Sequence, residues 1–340
     1  MALTLLPLRC LRARWLIGAF ALAAMAAAAA QQSVVAPPQP ERGVNEWLMR
    51  MQDASRLRSY VGTFVVSSST GSMSSARIWH AGDAVQQVER VEVLTGAPRS
   101  TFRRNDEVLT FLPEHRVVRA ERRESLGLFP NLLKSSDSSI PEFYAARRLG
   151  AERVAGFDSD VVQLVPKDML RFGYRVWSER RTGLVIKLQT LDADGSVLEQ
   201  AAFSELKLDS PIRADKLAQM MHPPHGWRVE RAEVVKTTAA AEGWGLHGPI
   251  AGFKPVNCYK RQVDGGAPGG AIQWIFSDGL ASVSLFVEPY DGERHRQEGV
   301  FAAGATQTLT RRIDDWWLTV VGEVPPQTLK AFAQSLERRR

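Results

Sequence analysis

Cysteine is nearly absent: the 340 residues contain two, Cys10 and Cys258. Cys10 falls in a leader expected to be removed, so Cys258 stands alone and no disulfide within the chain can staple the fold. Stability must come from packed cores. Cys258, in "PVNCYKR", reads as a half-buried strand residue, with a reactive thiol as the alternative. A surplus of one charge sign is lacking too. The formal charge of +6 falls to +3 once Arg9, Arg12 and Arg14 leave with the leader. That balance is too weak for the basic footprint of a nucleic-acid-binding protein. After residue 30 no apolar run approaches the roughly 20 residues of a membrane-spanning helix.

The marks of common enzymes are missing as well. There is no G-x-S-x-G elbow, no H-E-x-x-H, no Walker loop and no C-x-x-C. Of the six histidines only His222 and His225 are close. "HPPH" sets them on a polyproline segment with no third ligand in view, so it reads as a solvated linker rather than a metal site. Asp192 and Asp194 build a tight turn, and Asp314-Asp315 precedes a Trp-rich strand. Neither pair asks for acid-base chemistry. Gly265-Gly266 and Gly269-Gly270 flank a proline between strands, which suits a mobile hairpin tip and not a phosphate cradle. No reaction, cofactor or metal follows.

What is present begins with that leader. Arg9, Arg12 and Arg14 form a basic start, Trp15 to Met25 is apolar, and Ala26 to Ala30 offers small residues before Gln31. This is a secretory signal over 1–30, and it predicts an exported chain. Residues 31–42 are polar and Pro-rich, a flexible mature N-terminus. Val44, Leu48, Met51 and Ala54 then share one stripe with Trp47 beside it, predicting a helix over 44–57.

Beyond it the period changes to two. Tyr60, Phe64 and Val66 fall on one face of "SYVGTFVVSSS", and "ARIWHAGD" and "AVQQVERVEVL" continue the alternation. "STFRRNDEVLTFLPEHRVVRAE" gives three more strands, bending at Asn105-Asp106 and Pro113-Glu114. Residues 125–149 break the pattern, being apolar, interrupted by proline and helical in places. "FGYRVWSE", "LVIKLQTL" and "SVLEQAAFSELKL" return as strands across "RRTG" and "DADG" turns. Residues 43–208 are thus one large antiparallel sheet that must curl or be covered, with the helix and the insertion as its cover.

Residues 209–226 read as a linker or bridging helix ended by Pro223-Pro224. Residues 227–340 form a small α+β unit. "WRVERAEVV" is its first strand, "AIQWIFSDGLASVSLFVEPYDG" a hairpin across Asp278-Gly279, and "DWWLTVVGEVP" its last strand. Pro325-Pro326 then turns the chain into a closing helix over Gln327 to Leu336. Leu329, Phe332, Ala333 and Leu336 form its apolar stripe.

Two features allow a functional reading beside a plain one. Arg-Arg dipeptides at 122–123, 147–148, 180–181 and 311–312 are either solvated strand ends or a rim of guanidinium groups able to grip phosphates. Large apolar residues gather in the insertion: Leu126, Leu128, Phe129, Leu132, Leu133, Phe143 and Tyr144. They are either simple core or the lining of an apolar pocket of the kind that holds acyl chains.

"FGYRVWSERRTGLVIKLQTLDADGSVLEQ", "FSDGLASVSLFVEP" and "VVGEVPPQTLKAFAQSLE" resemble the MucB/RseB family, in order and spacing, from about Val44 to Glu337. One departure is clear. A compact Trp-x-Pro-x-Gly-Phe lead-in to the second unit is here spread over Trp244, Pro249 and Gly252-Phe253. The resemblance implies an α+β fold: a large unclosed antiparallel barrel covered by helices, similar to the lipoprotein carriers LolA and LolB, plus a small C-terminal α+β domain. It implies a periplasmic regulator without enzymatic activity. Such a protein binds the periplasmic segment of a single-pass anti-sigma factor, shields it from proteolysis, and is released by lipopolysaccharide or mislocalised lipoprotein. On that reading Leu128, Phe129, Leu132, Leu133, Phe143 and Tyr144 line the acyl cavity. Arg122, Arg123, Arg147 and Arg148 hold an anionic head group, and the C-terminal unit is the clamp on the peptide. A lipid or lipoprotein carrier is the alternative, disfavoured by the second unit. Self-association as a homodimer is left open.

Overall fold

The computed structural model describes residues 42–82, 86–122, 129–130, 132, 139–231, 234–261 and 270–339. The leader, Leu126, Leu128, Leu133, Arg123 and Gly265-Gly266 lie outside them. Helix α1 (Val44–Leu57) forms where the 3.6-residue stripe predicts it and buries Trp47, Leu48, Met51 and Ala54. Six strands follow: β1 (Tyr60–Ser68), β2 (Met73–Gly82), β3 (Gln87–Val93), β4 (Arg99–Arg104), β5 (Glu107–Leu112) and β6 (Val117–Arg122). The bend between β4 and β5 has Asn105 at φ 53, the left-handed region that asparagine tolerates.

A single turn of helix, α2 (Ile140–Phe143), leads into β7 (Tyr144–Val154) and β8 (Phe157–Pro166). Then come β9 (Gly173–Glu179), β10 (Val185–Leu191) and β11 (Val197–Leu208). Strand β11 returns to pair with β1, Tyr60 opposite Leu208, so these two strands meet in mid-sheet. Helix α3 (Ala214–Gln219) and strand β12 (Arg228–Arg231) follow. The sheet has 12 strands in the order β12-β6-β5-β4-β3-β2-β1-β11-β10-β9-β8-β7 and remains open, with β12 and β7 at its edges.

One face carries the main core. Trp47, Leu48 and Met51 of α1 pack there with Phe64, Ile78, Phe203, Val176 and Leu184, each large side chain contributing about 1.5–3 kcal/mol by leaving water. The helix sits close because glycine permits it. A Cβ on Gly82 would lie 1.8 Å from the Arg56 carbonyl oxygen, and one on Gly183 (φ +87) would lie 2.8 Å from the Arg50 side chain. On the opposite face, reached by the alternation of Ile78 and Trp79, Leu217 of α3 packs on Ala81 and Val88.

The second sheet contains β13 (Val234–Lys236), β15 (Lys254–Arg261), β16 (Ala271–Ser277), β17 (Ser282–Pro289), β18 (Gly299–Ala303), β19 (Thr306–Ile313) and β20 (Trp316–Gly322), and β14 (Trp244–Leu246) lies outside it. Its order is β13-β15-β16-β17-β20-β19-β18. Pro325 caps and Pro326 begins α4 (Pro326–Ser335), whose Leu329, Phe332 and Ala333 cover Val283, Leu285, Leu318 and Val320. A fixed φ near −65° suits the first helical position.

Three expectations need correction. The insertion over 125–149, expected to be helical in places, is helical at Ile140–Phe143 but from Tyr144 onward is strand, where pairing with β8 overrides the helical propensity of "YAARRL". The single strand expected in "WRVERAEVV" is two. Arg228–Arg231 runs parallel to β6 in the large sheet, and Val234–Lys236 joins the small one. The closing helix stops at Ser335, and Leu336 opens β21 (Leu336–Arg338), which pairs with β14.

Candidate functional site

The two sheets meet at a buried arginine. Arg171 lies in the connection from β8 to β9, and Asp278 sits in the "FSDGL" turn between β16 and β17. Arg171 Nε donates to Asp278 Oδ2 at 2.7 Å, and both side chains are fully buried. Nη1 of Arg171 donates to Asp168, and Nη2 to the carbonyl oxygen of Ala251 at 2.6 Å. Phe143 and Phe253 stack on the guanidinium, 4.3 and 4.8 Å from their ring centres. A buried ion pair persists only when its remaining donors and acceptors are met. Here they are. Asp278 Oδ1 accepts from the N–H groups of Leu280 and Ala281 at 2.9 and 2.7 Å, and Oδ2 accepts from the Tyr144 hydroxyl at 3.3 Å. Burial, with Tyr174 and Asp278 beside it, pushes the Tyr144 phenol well above its ordinary value, so it stays a donor.

Several more residues complete the joint. Leu280 is buried in the core of the large sheet. Gln327 and Thr328, of the "PPQT" ending, donate to the carbonyls of Met169 and Leu170, each at 2.7 Å. Gly252 has φ +77, and a Cβ there would stand 2.1 Å from Arg171 Nη2 and 2.8 Å from the Phe143 ring. Only glycine fits. The motifs that carry the resemblance in the C-terminal half therefore converge on one place, the seam with the large sheet.

The residues expected to line an acyl cavity fall into two groups. Phe129 and Leu132 are buried in the main core, Phe129 between Phe64 and Phe203 with ring centres 5.5 and 4.9 Å away. Phe143 and Tyr144 belong to the joint. The arginines do not converge. Arg122 ends β6 and is 89% exposed, 3.9 Å from Asp106. Arg147 is exposed on β7, and Arg148 donates to Asp160 Oδ1 at 2.9 Å. Strands β6 and β7 stand toward opposite ends of the strand order. Arg180 also donates to Asp160, at 3.3 Å. Sequence reasoning missed Arg171 altogether, because its partner lies 107 residues away. "FSDGL" was a usable signal, but for a turn. Cys258 is a buried free thiol whose pKa burial raises to about 11, a strand residue as expected.

An open, helix-covered antiparallel sheet bolted through a buried ion pair to a smaller sheet with its own helix defines a two-module α+β protein. Residues 43–221 match the MucB/RseB N-terminal domain and residues 238–337 the MucB/RseB C-terminal domain. The chain belongs to the MucB/RseB family. It is similar to the sigma factor AlgU regulatory protein MucB of Pseudomonas aeruginosa, 29% identical over 315 residues that cover 89% of this chain and 94% of the relative. The sigma-E factor regulatory protein RseB of Escherichia coli K12 is 24% identical over 292 residues, 85% of this chain and 89% of that one. The crystal structure of MucB in complex with MucA(peri) has a TM-score of 0.64 at 27% identity, covering 86% of this chain and 98% of that chain. The Pseudomonas aeruginosa MucA/MucB complex has a TM-score of 0.67 at 27% identity, covering 87% and 99%.

Proposed function

We propose that this chain is a periplasmic regulator that holds the periplasmic segment of a transmembrane anti-sigma factor and shields it from proteolysis. The observation that carries this reading is the match of both halves of the chain to the family, with a fold similar to that of MucB bound to MucA(peri). The expected signal over 1–30 supports export. Release follows when an acylated anionic lipid, of lipopolysaccharide or a mislocalised lipoprotein, enters the large unit. Each buried CH2 contributes about 0.8 kcal/mol, and only a ligand that prefers the released state can shift the balance. Phe129 and Leu132 are buried in the main core, so an acyl chain has to displace these two side chains to take their place. Arg147, exposed on the edge strand, is available to its head group, and Arg148 reaches it by leaving Asp160. Phe143 and Tyr144 join the insertion to Arg171 and Asp278, so displacement there reaches the small unit, the clamp in this reading.

The test is protease protection. With the mature chain in excess, the anti-sigma periplasmic segment is expected to resist the protease that otherwise cuts it, and purified lipopolysaccharide is expected to restore cutting. Cleavage at the unprotected rate in the presence of the chain would overturn the reading.

A further inference from the structure

A cavity of about 740 Å3 opens in the small unit between residues 237–250 and the first half of β15. Trp244, Phe253, Cys258 and Phe276 form its buried floor. Three observations define what fits it. The first is an unfinished sheet edge. Strand β13 pairs with β15 only at Tyr259, Lys260 and Arg261, and the Thr237 N–H reaches the Cys258 carbonyl at 3.0 Å. Beside Lys254 to Asn257, on that side, no described strand lies. An extended chain can be added at such an edge by backbone pairing.

The second is the Trp244 indole. The residue is 1% exposed and its Nε1–H has no acceptor among the described residues. A buried donor needs one, and a peptide carbonyl supplies it. The third is charge. Lys236, His247 and Arg339 line the cavity, and among the described residues no acid does. His247 and Arg339 both lean on Glu337, while Lys236 is exposed and forms no ion pair among the described residues.

We infer that this cavity seats an extended, acidic stretch of the partner's periplasmic segment, which pairs with the open edge of β15 and buries one large apolar side chain against Trp244 and Phe276. The inference rests on the proposed function and adds the contact surface to it.

The probe is a series of synthetic, fluorophore-labelled peptides of about ten residues that tile the anti-sigma segment, titrated with the mature chain and read by anisotropy. An acidic tile with a large apolar residue is expected to bind. Gly248 lines the cavity, and a Cβ there meets nothing within 4 Å, so Gly248→Trp fills the space without a clash at its root. It is expected to weaken that tile by about tenfold or more. The surface change Lys236→Glu is expected to weaken it by about fivefold and to flatten its salt dependence. Two outcomes overturn the site. In one, the tile binds both variants as it binds the native chain. In the other, myristate or a second copy of this chain fills the cavity while tile affinity is untouched. If the native chain neither binds nor protects the whole segment, the proposed function fails first. If it protects the segment and both variants do so equally, only the site fails.

Discussion

Removing one partner of the Arg171–Asp278 pair strands the other charge where water does not reach. Arg171→Met is therefore expected to cost about 3–5 kcal/mol of stability, read from urea midpoints. A loss under about 1 kcal/mol would show that the seam admits water. His80 makes a prediction of different form. Its ring is fully buried and stacked on Tyr60 at 4.8 Å, and its Nδ1 lies 2.7 Å from the Arg58 carbonyl oxygen. That carbonyl fixes the proton on Nδ1 and leaves Nε2 facing Glu89 Oε1 at 3.9 Å, beside the buried Arg103. Burial holds the imidazole below its ordinary 6.5, with Glu89 pulling the other way. The unfolded chain thus binds the proton first. Stability is full above about 6.5 and is lost as pH falls from there toward the folded value. Urea midpoints of the native chain should drop between about pH 7 and pH 5, and those of His80→Gln should drop less; parallel curves would refute this. Cys258, with its thiol raised to about 11, is expected to resist alkylation at pH 8 until urea unfolds the chain.

Among elements, α1 makes the sharpest case for shape. Gly82→Ala puts a methyl group 1.8 Å from the Arg56 carbonyl oxygen. The end of the helix must move, at about 1–3 kcal/mol. An unchanged urea midpoint would show that α1 is loosely seated. The stripe of α1, the hairpins from β1 to β6 and the Pro-Pro start of α4 were legible in the sequence because each signal is local: a period, a turn residue, a fixed φ. The β7–β8 hairpin was not, since "AARR" suits a helix as well as a strand and only its partner decides. Strand β12 was lost for a similar reason. "RVER" can sit at the edge of either sheet, and nothing within it selects the parallel neighbour β6. The candidate site divides in the same way. Asp278, Gly252 and Thr328 stand in recognisable motifs, but Arg171, which ties them together, comes from the other half of the chain. Phe143 and Tyr144 were legible as apolar residues of the insertion, but their contacts with Arg171 and Asp278 were not.

At the scale of the molecule, the proposed release mechanism uses the joint as the route from a displaced insertion to the small unit: Phe143 and Tyr144 of the insertion contact Arg171 and Asp278, which pair across the seam. A release switch requires a packed element with two discrete arrangements, and a buried ion pair at a packed seam is a candidate for one. Arg171→Met combined with Asp278→Asn removes both charges. The asparagine Oδ1 still accepts from the Leu280 and Ala281 N–H groups, so the turn is kept. The decisive measurement is the cleavage half-time of the anti-sigma periplasmic segment under an excess of either chain, with and without lipopolysaccharide. The expected result is protection by both, with lipid restoring rapid cleavage only under the native chain. Cleavage at the unprotected rate under the native chain, or lipid-triggered release that is identical in the double variant, would contradict it.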